Sequence, residues 1–135
     1  MMSQRARHVI PTYISPQYTE ERVHSTKRRE YVKARVFNKT TTTNNYRDSI
    51  IFDARLFKSI IFEIRNEHNS NALHFKILAC IEPDEWHELK SETTLNAKSK
   101  TYETLTDAWA YLKIQIKSAV ADSPAICTAY IAGRA

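Results

Sequence analysis

Four segments of this chain alternate apolar and polar residues with a period of two, and this alternation constrains the fold more than any other feature. They are residues 31–36, 59–67, 72–81 and 110–117. Successive side chains of a β-strand point to opposite faces, so the alternation predicts strands with one buried and one solvated face. The residues predicted to face the core are Val32, Ala34, Val36, Ile60, Phe62, Ile64, Leu73, Phe75, Ile77, Ala79, Ile81, Leu112, Ile114 and Ile116.

Polar segments between these strands predict the turns and loops. Residues 68–71 (HNSN) are side chains that tolerate left-handed backbone, so we expect a hairpin turn between the strands on either side. Residues 38–49 predict a polar loop, and residues 90–100 form a second polar segment. Shorter strands are expected at 49–53, at 86–89 as a sheet edge, and at 125–131.

Two windows also fit a helical stripe, so helix and strand must be weighed there. The helical positions are Leu56, Ile60, Ile61 and Ile64 in one window, and Leu105, Trp109, Leu112, Ile116 and Val120 in the other. Both windows are rich in β-branched and aromatic residues and neither has a helix-capping pair, which favours strands. The predicted fold is therefore all-β: a single antiparallel β-sandwich, jelly-roll or immunoglobulin-like, of about six to eight strands.

The whole net charge of +5 lies in the first 35 residues, which hold 8 basic and 3 acidic side chains, whereas the rest holds 12 of each. Pro11 and Pro16 exclude a continuous helix there, and the segment has too few apolar residues to form a core. We therefore divide the chain into an extended basic N-terminal arm, residues 1–30, and a sandwich domain, residues 31–135. Segregated positive charge is typical of a segment that binds an acidic partner.

The arm is the one part of the chain for which the sequence predicts a binding role. The predicted partner-binding residues are Arg5, Arg7, Tyr13, Tyr18, Lys27, Arg28 and Arg29. Basic residues interleaved with Tyr13, Tyr18 and Tyr31 could also pair with phosphates and stack on bases, so a nucleic-acid-binding module is the alternative function.

No catalytic site, cofactor site or metal site is expected. Five polar side chains gather in residues 82–88 (EPDEWHE), but neighbours along a strand or turn point in different directions, so a solvated surface is expected. Cys80 and Cys127 lie in apolar runs and are interpreted as buried small side chains, although a disulfide between them stays open. A carbohydrate site at Trp86 or Trp109 has no convergent polar residues to support it. No apolar run is long enough for a signal peptide or a membrane span, so we expect no membrane partner.

From Ser59 onward, the order of features resembles small β-sandwich virion proteins of tailed bacteriophages. The resemblance lies in SIIFEIRNE, HNSNALHFKILACI, EWHEL and AYLKIQIKSAVADSPAICTAYIAGR. It implies a structural protein without catalytic residues, located in the virion as a capsid-decoration, neck or tail component. It also implies that the partners are copies of the same chain and other virion proteins such as capsid, portal or tail subunits. In this hypothesis, the arm binds neighbouring subunits.

Overall fold

The computed structural model describes residues 31–135, in which nine β-strands and no helix are present. The strands are β1 (Tyr31–Thr41), β2 (Arg47–Asp48), β3 (Phe52–Asp53), β4 (Ser59–Asn66), β5 (Leu73–Cys80), β6 (His87–Leu95), β7 (Ser99–Leu105), β8 (Tyr111–Ser118) and β9 (Ile126–Arg134). Both windows that also fitted a helical stripe form strands and loops instead. The prediction of an all-β sandwich is confirmed.

Two antiparallel sheets pack face to face around one core. Sheet A has the strand order β1-β9-β4-β7, and sheet B has the order β2-β8-β5-β6, with β3 also paired to β8. Phe62 and Ile131 of sheet A meet Phe75 and Ile114 of sheet B in a continuous buried cluster. Burying the apolar face of each sheet against the other is what stabilises a sandwich of this size.

The strands pair from the outside of the sequence inward. The first strand pairs with the last (β1 with β9), the second with the next to last (β2 and β3 with β8), and so on through β4 with β7 to β5 with β6. This nested pairing, with two sheets of four strands if β2 and β3 are counted as one interrupted strand, is the jelly-roll arrangement. An immunoglobulin-like sandwich would instead pair several consecutive strands.

The predicted hairpin across residues 68–71 is wrong. β4 lies in sheet A between β9 and β7, and β5 lies in sheet B between β8 and β6. Each strand already has a neighbour on both edges, so the two cannot pair with each other. The connection instead crosses from one sheet to the other, and no residue of it has a positive φ.

Hydrogen bonds made by side chains stabilise this crossing turn, which contains no residue with left-handed backbone. The buried Asn66 amide donates to the carbonyls of Asn71 (2.9 Å) and Leu95 (3.1 Å), and its oxygen accepts from His68 N (3.0 Å). The Nδ1 atom of His68 accepts from the backbone of Ser70 and Asn71. His68 therefore has a structural role in the turn.

Most of the predicted inward-facing residues are buried, with one clear exception. Ile81 is 68% exposed because β5 ends at Cys80 and the chain turns away at Pro83. The edge strand expected at 86–89 is β6, which lies at the edge of sheet B but continues to Leu95.

The predicted loop at 38–49 is wrong in part, and the polar segment at 90–100 lies mostly in strands. β1 extends to Thr41 through two register shifts, with Lys39 at a φ of 47° and its N–H donating to Thr128 Oγ1. Residues 90–100 contribute to β6 and to the start of β7. These segments are polar because they lie at sheet edges and bury little side-chain surface, so periodicity does not reveal them.

Candidate functional site

The predicted partner-binding residues of the arm, Arg5, Arg7, Tyr13, Tyr18, Lys27, Arg28 and Arg29, lie outside the described residues. The structure does describe where the arm joins the domain. Tyr31 begins β1, and β1 is an edge strand of sheet A that pairs with β9 alone. Residues 1–30 are thus attached at a sheet edge.

The outer face of sheet A brings together residues that are far apart in the sequence. The ladder registers place Arg35 opposite Tyr130, Tyr130 opposite Glu63, and Glu63 opposite Tyr102, so one row crosses all four strands. The next row contains Arg65 opposite Lys100. Alternation points all of these side chains away from the core.

Cations surround Tyr130 in this face. Lys33 Nζ lies 4.5 Å from the centre of the Tyr130 ring, and the guanidinium carbons of Arg65 and Arg35 lie 5.4 Å and 5.6 Å from it. Such distances are within the range of cation–π attraction, which holds the positive groups over the ring. We name the basic tyrosine face by its members: Lys33, Arg35, Glu63, Arg65, Lys100, Tyr102 and Tyr130.

Glu63 is the single carboxylate of the basic tyrosine face, and it is already bound. Arg65 Nε donates to Glu63 Oε2 over 2.8 Å, and this hydrogen bond is the main reason that the pKa of Arg65 is raised. The Tyr102 hydroxyl lies 3.5 Å from the same oxygen. Within residues 31–135, Lys33, Arg35 and Lys100 have no carboxylate at ion-pair distance. The face therefore keeps a net positive charge.

The outer face of sheet B differs because its cations are paired with carboxylates. Lys76 binds Glu88 at 2.9 Å, Lys113 binds Asp48 at 3.0 Å, and Lys117 lies 3.8 Å from Glu92. This face is therefore close to electrically neutral, although it too has exposed lysines.

Tyr46 and Glu92 form a second polar contact on sheet B. The Tyr46 hydroxyl donates to Glu92, and this bond is the main cause of the lowered pKa of Glu92. Burial and the same carboxylate raise the pKa of Tyr46. Lys76 and Lys117 lie 4.6 Å and 5.0 Å from the Tyr46 ring centre, so the ring is held between them.

Residues 82–88 form an exposed turn and the start of β6, as expected for a solvated segment. Across the described part of the chain, no group of three or more His, Cys, Asp or Glu side chains is placed to hold a metal. Trp86 lies beneath Lys113, whose Nζ is 4.4 Å from its ring, and Trp109 packs against the core.

Cys80 and Cys127 are both buried and not joined by a disulfide. Burial raises the pKa of Cys80 and raises that of Cys127 to about 12. A thiol that stays protonated is a poor nucleophile, so both residues act as small core side chains.

The two ends of the sandwich differ in apolar exposure. One end consists of loops 54–58, 81–86 and 106–110, which are linked by Ala54 N–Ala110 O (2.8 Å) and Ala110 N–Cys80 O (3.0 Å) hydrogen bonds. We call it the apolar loop end, because Leu56 and Ile81 are exposed there. The opposite end carries the exposed Val120.

Sequence reasoning missed the basic tyrosine face because its residues come from four strands between positions 33 and 130. The alternation in 31–36 does place Lys33 and Arg35 on one outer face. This local alternation does not give the register of the strands, which places Tyr130 next to Lys33 and Arg35 and Tyr102 on the same face.

Neither a family model nor a curated protein sequence matches this chain. Solved structures do match its fold. A region of tripeptidyl peptidase 2 aligns with a TM-score of 0.55 and 5% identity over 76% of this chain, which spans 10% of the peptidase chain. PirA aligns with a TM-score of 0.50 and 12% identity over 80% of this chain and 96% of its own.

A chain in the structure of infectious bursal disease virus, Gx strain, aligns with a TM-score of 0.47 and 12% identity over 80% of this chain and 32% of its own. At identities this low, the similarities to tripeptidyl peptidase 2 and PirA show the fold alone. In residues 31–135 there is no helix of the length and apolar character needed to cross a membrane.

Proposed function

We propose that this chain is a non-enzymatic structural protein that assembles in multiple copies, with the jelly roll as a rigid block and residues 1–30 as the connection to neighbouring subunits. The observation that carries the proposal is the position of β1. Because this strand lies at the edge of sheet A and begins at Tyr31, the basic arm leaves the domain at a sheet edge, where a neighbouring copy can be reached.

The nested strand pairing supports the role of rigid block. The β1–β9 ladder joins the first and last strands of the domain by main-chain hydrogen bonds. A force that a neighbouring subunit exerts on residues 1–30 would therefore act on a strand that is already paired. The main-chain hydrogen bonds of this ladder and the continuous core would together resist that force.

The apolar loop end supports self-association. Ile81 is 68% exposed and Leu56 is 46% exposed, and both lie on loops at the same end of the sandwich. Exposed apolar side chains gathered at one end favour contact with another protein surface, here a second copy of the chain.

Within this proposal, the resemblance to phage virion proteins suggests the finer placement. We place the protein in the virion of a tailed bacteriophage, first as a capsid-decoration protein and second as a neck or tail component. Its partners there are copies of itself and capsid, portal or tail subunits. Antibody labelling of particles released from the producing cells would locate the protein, and particles that carry none of it would contradict the placement.

Assembly itself is tested with the full-length chain by analytical ultracentrifugation and negative-stain microscopy. We expect Ile81→Glu to shift the protein toward monomers, because a buried charge disrupts an apolar contact. The matched control is Val120→Glu, at a residue 63% exposed at the opposite end, which should assemble as wild type does.

The contribution of the arm is tested separately by replacing Lys27, Arg28 and Arg29 with Ser. Loss of higher-order species is expected if these cations bind a neighbour. A full-length protein that stays monomeric at all concentrations would contradict self-assembly, and equal assembly of wild type and the arm variant would contradict the role of the arm.

A further inference from the structure

We propose that the basic tyrosine face of sheet A binds single-stranded nucleic acid, with phosphates at Lys33, Arg35 and Lys100 and a base stacked on Tyr102. This is a different surface from both the predicted arm and the apolar loop end, so it does not require the assembly proposed above.

The charge of the face supports a phosphate ligand. Sheet B pairs its outer lysines with Asp48, Glu88 and Glu92, whereas the basic tyrosine face of sheet A contains one carboxylate, Glu63, which is bound by Arg65. The other acidic residue in the strands of sheet A, Glu103, lies 3.4 Å from Lys90. Cations without a carboxylate partner are available to neutralise an external anion, and binding to a nucleic acid then releases its counterions.

The tyrosines support a nucleic acid over other polyanions. Tyr102 is 55% exposed on an edge strand, with Lys100 Nζ 5.9 Å from its ring centre. A ring that is open to solvent and flanked by positive charge offers a surface on which a base can stack while its phosphate is neutralised.

The flatness of the sheet favours a single strand over a duplex. The contact residues lie on β1 and β7, the two edge strands of a four-stranded sheet whose neighbouring strands are about 4.8 Å apart, so none projects as a helix or ribbon does into a groove. In a duplex, the bases are stacked on each other and cannot reach Tyr102.

The test measures fluorescence anisotropy of a labelled oligothymidylate of about 20 nucleotides with the full-length protein. The arm is unchanged in every variant, so a difference in affinity between variants is due to the substituted residues of the sheets and not to the arm. We expect Arg35→Gln with Lys100→Gln to lower affinity at low salt at least tenfold, and to reduce the slope of log affinity against log salt by about 1.4.

The matched control removes the same charge from sheet B. Lys113→Gln with Lys117→Gln should leave affinity within about twofold of wild type, since both lysines are already near carboxylates. Circular dichroism of each variant checks the fold. Equal loss in the two double variants would show non-specific dependence on net charge and would overturn the proposal.

Stacking is tested at Tyr102. Tyr102→Ala should weaken oligothymidylate binding between about 5-fold and 150-fold, whereas Tyr102→Phe, which keeps the ring, should bind normally. On an abasic oligonucleotide of the same length, Tyr102→Ala should have no effect.

Two further outcomes would overturn the proposal. One is that polyglutamate of matched length competes as well as oligothymidylate, which would assign the face to an acidic protein. The other is unchanged binding in both the Arg35/Lys100 and Tyr102 variants, which would locate nucleic-acid binding outside this face.

Discussion

At position 133, the ring of Phe57 occupies the space that the Cβ of any other residue would fill. Gly133 lies within β9, and a Cβ there would be 2.6 Å from Phe57 Cγ. The single glycine of the chain is thus used for close packing and not for a turn. The turns instead use Lys98 and Asp122 at positive φ.

We expect Gly133→Ala to destabilise the domain by about 1–3 kcal/mol, because the Phe57 ring must move to admit the methyl group. Urea denaturation followed by tryptophan fluorescence measures the change. In a Phe57→Ala background, the same substitution should be neutral or mildly stabilising, since alanine then has room. An equal loss in both backgrounds would contradict the packing explanation.

At the scale of elements, Asn66 fixes the end of β4 to the crossing turn and to the end of β6. Its buried amide makes three hydrogen bonds, two as donor and one as acceptor. Asn66→Asp replaces the donating nitrogen by an oxygen that faces two carbonyls. We expect a loss of about 3 kcal/mol in the free energy of unfolding near pH 7.

Asn69→Asp is the matched control, because it makes the same chemical change at an exposed residue of the same turn. Its effect should stay within about 0.5 kcal/mol. The deficit of Asn66→Asp should shrink as pH falls toward about 4, because burial beside two carbonyls raises the pKa of the introduced carboxyl and the protonated form regains one donor. A deficit that does not change with pH would argue against the donor explanation.

Elements also show how far the sequence determines this fold. β4, β5 and β8 were predictable because each has a strongly apolar face, as in Ile60, Phe62 and Ile64. Most of β6 and all of β7 were not, since an edge strand with little burial has no apolar period to detect. The pairing of the strands could not be predicted either, because alternation within one strand does not identify the strand that pairs with it.

The candidate site follows the same rule. The outward direction of Lys33 and Arg35 could be predicted from local alternation. Their position beside Tyr130 depends on the β1–β9 register, which joins residues about a hundred positions apart and which no local pattern encodes. The arm stays a prediction, which rests on the segregation of charge in the sequence and concerns residues outside the described part of the chain.

At the scale of the whole molecule, burial of a thiol in the shared core links stability to alkaline pH. The pKa of Cys127 is raised from an ordinary value of 9.0 to about 12. Above about pH 9 the unfolded chain loses this proton while the folded chain keeps it, so the thiol's stabilising contribution is complete below that pH and declines above it.

The test compares wild type with Cys127→Ala by urea denaturation from about pH 9 to about pH 11. Wild type should be more stable at neutral pH, because alanine leaves a small cavity. The difference in free energy of unfolding between wild type and Cys127→Ala should then fall by about 2 kcal/mol over this range, since only wild type has the titrating thiol. Ile131→Val, a substitution in the same strand that adds no titrating group, should keep a constant difference from wild type. A constant difference for Cys127→Ala as well would mean that burial does not hold the proton on this thiol.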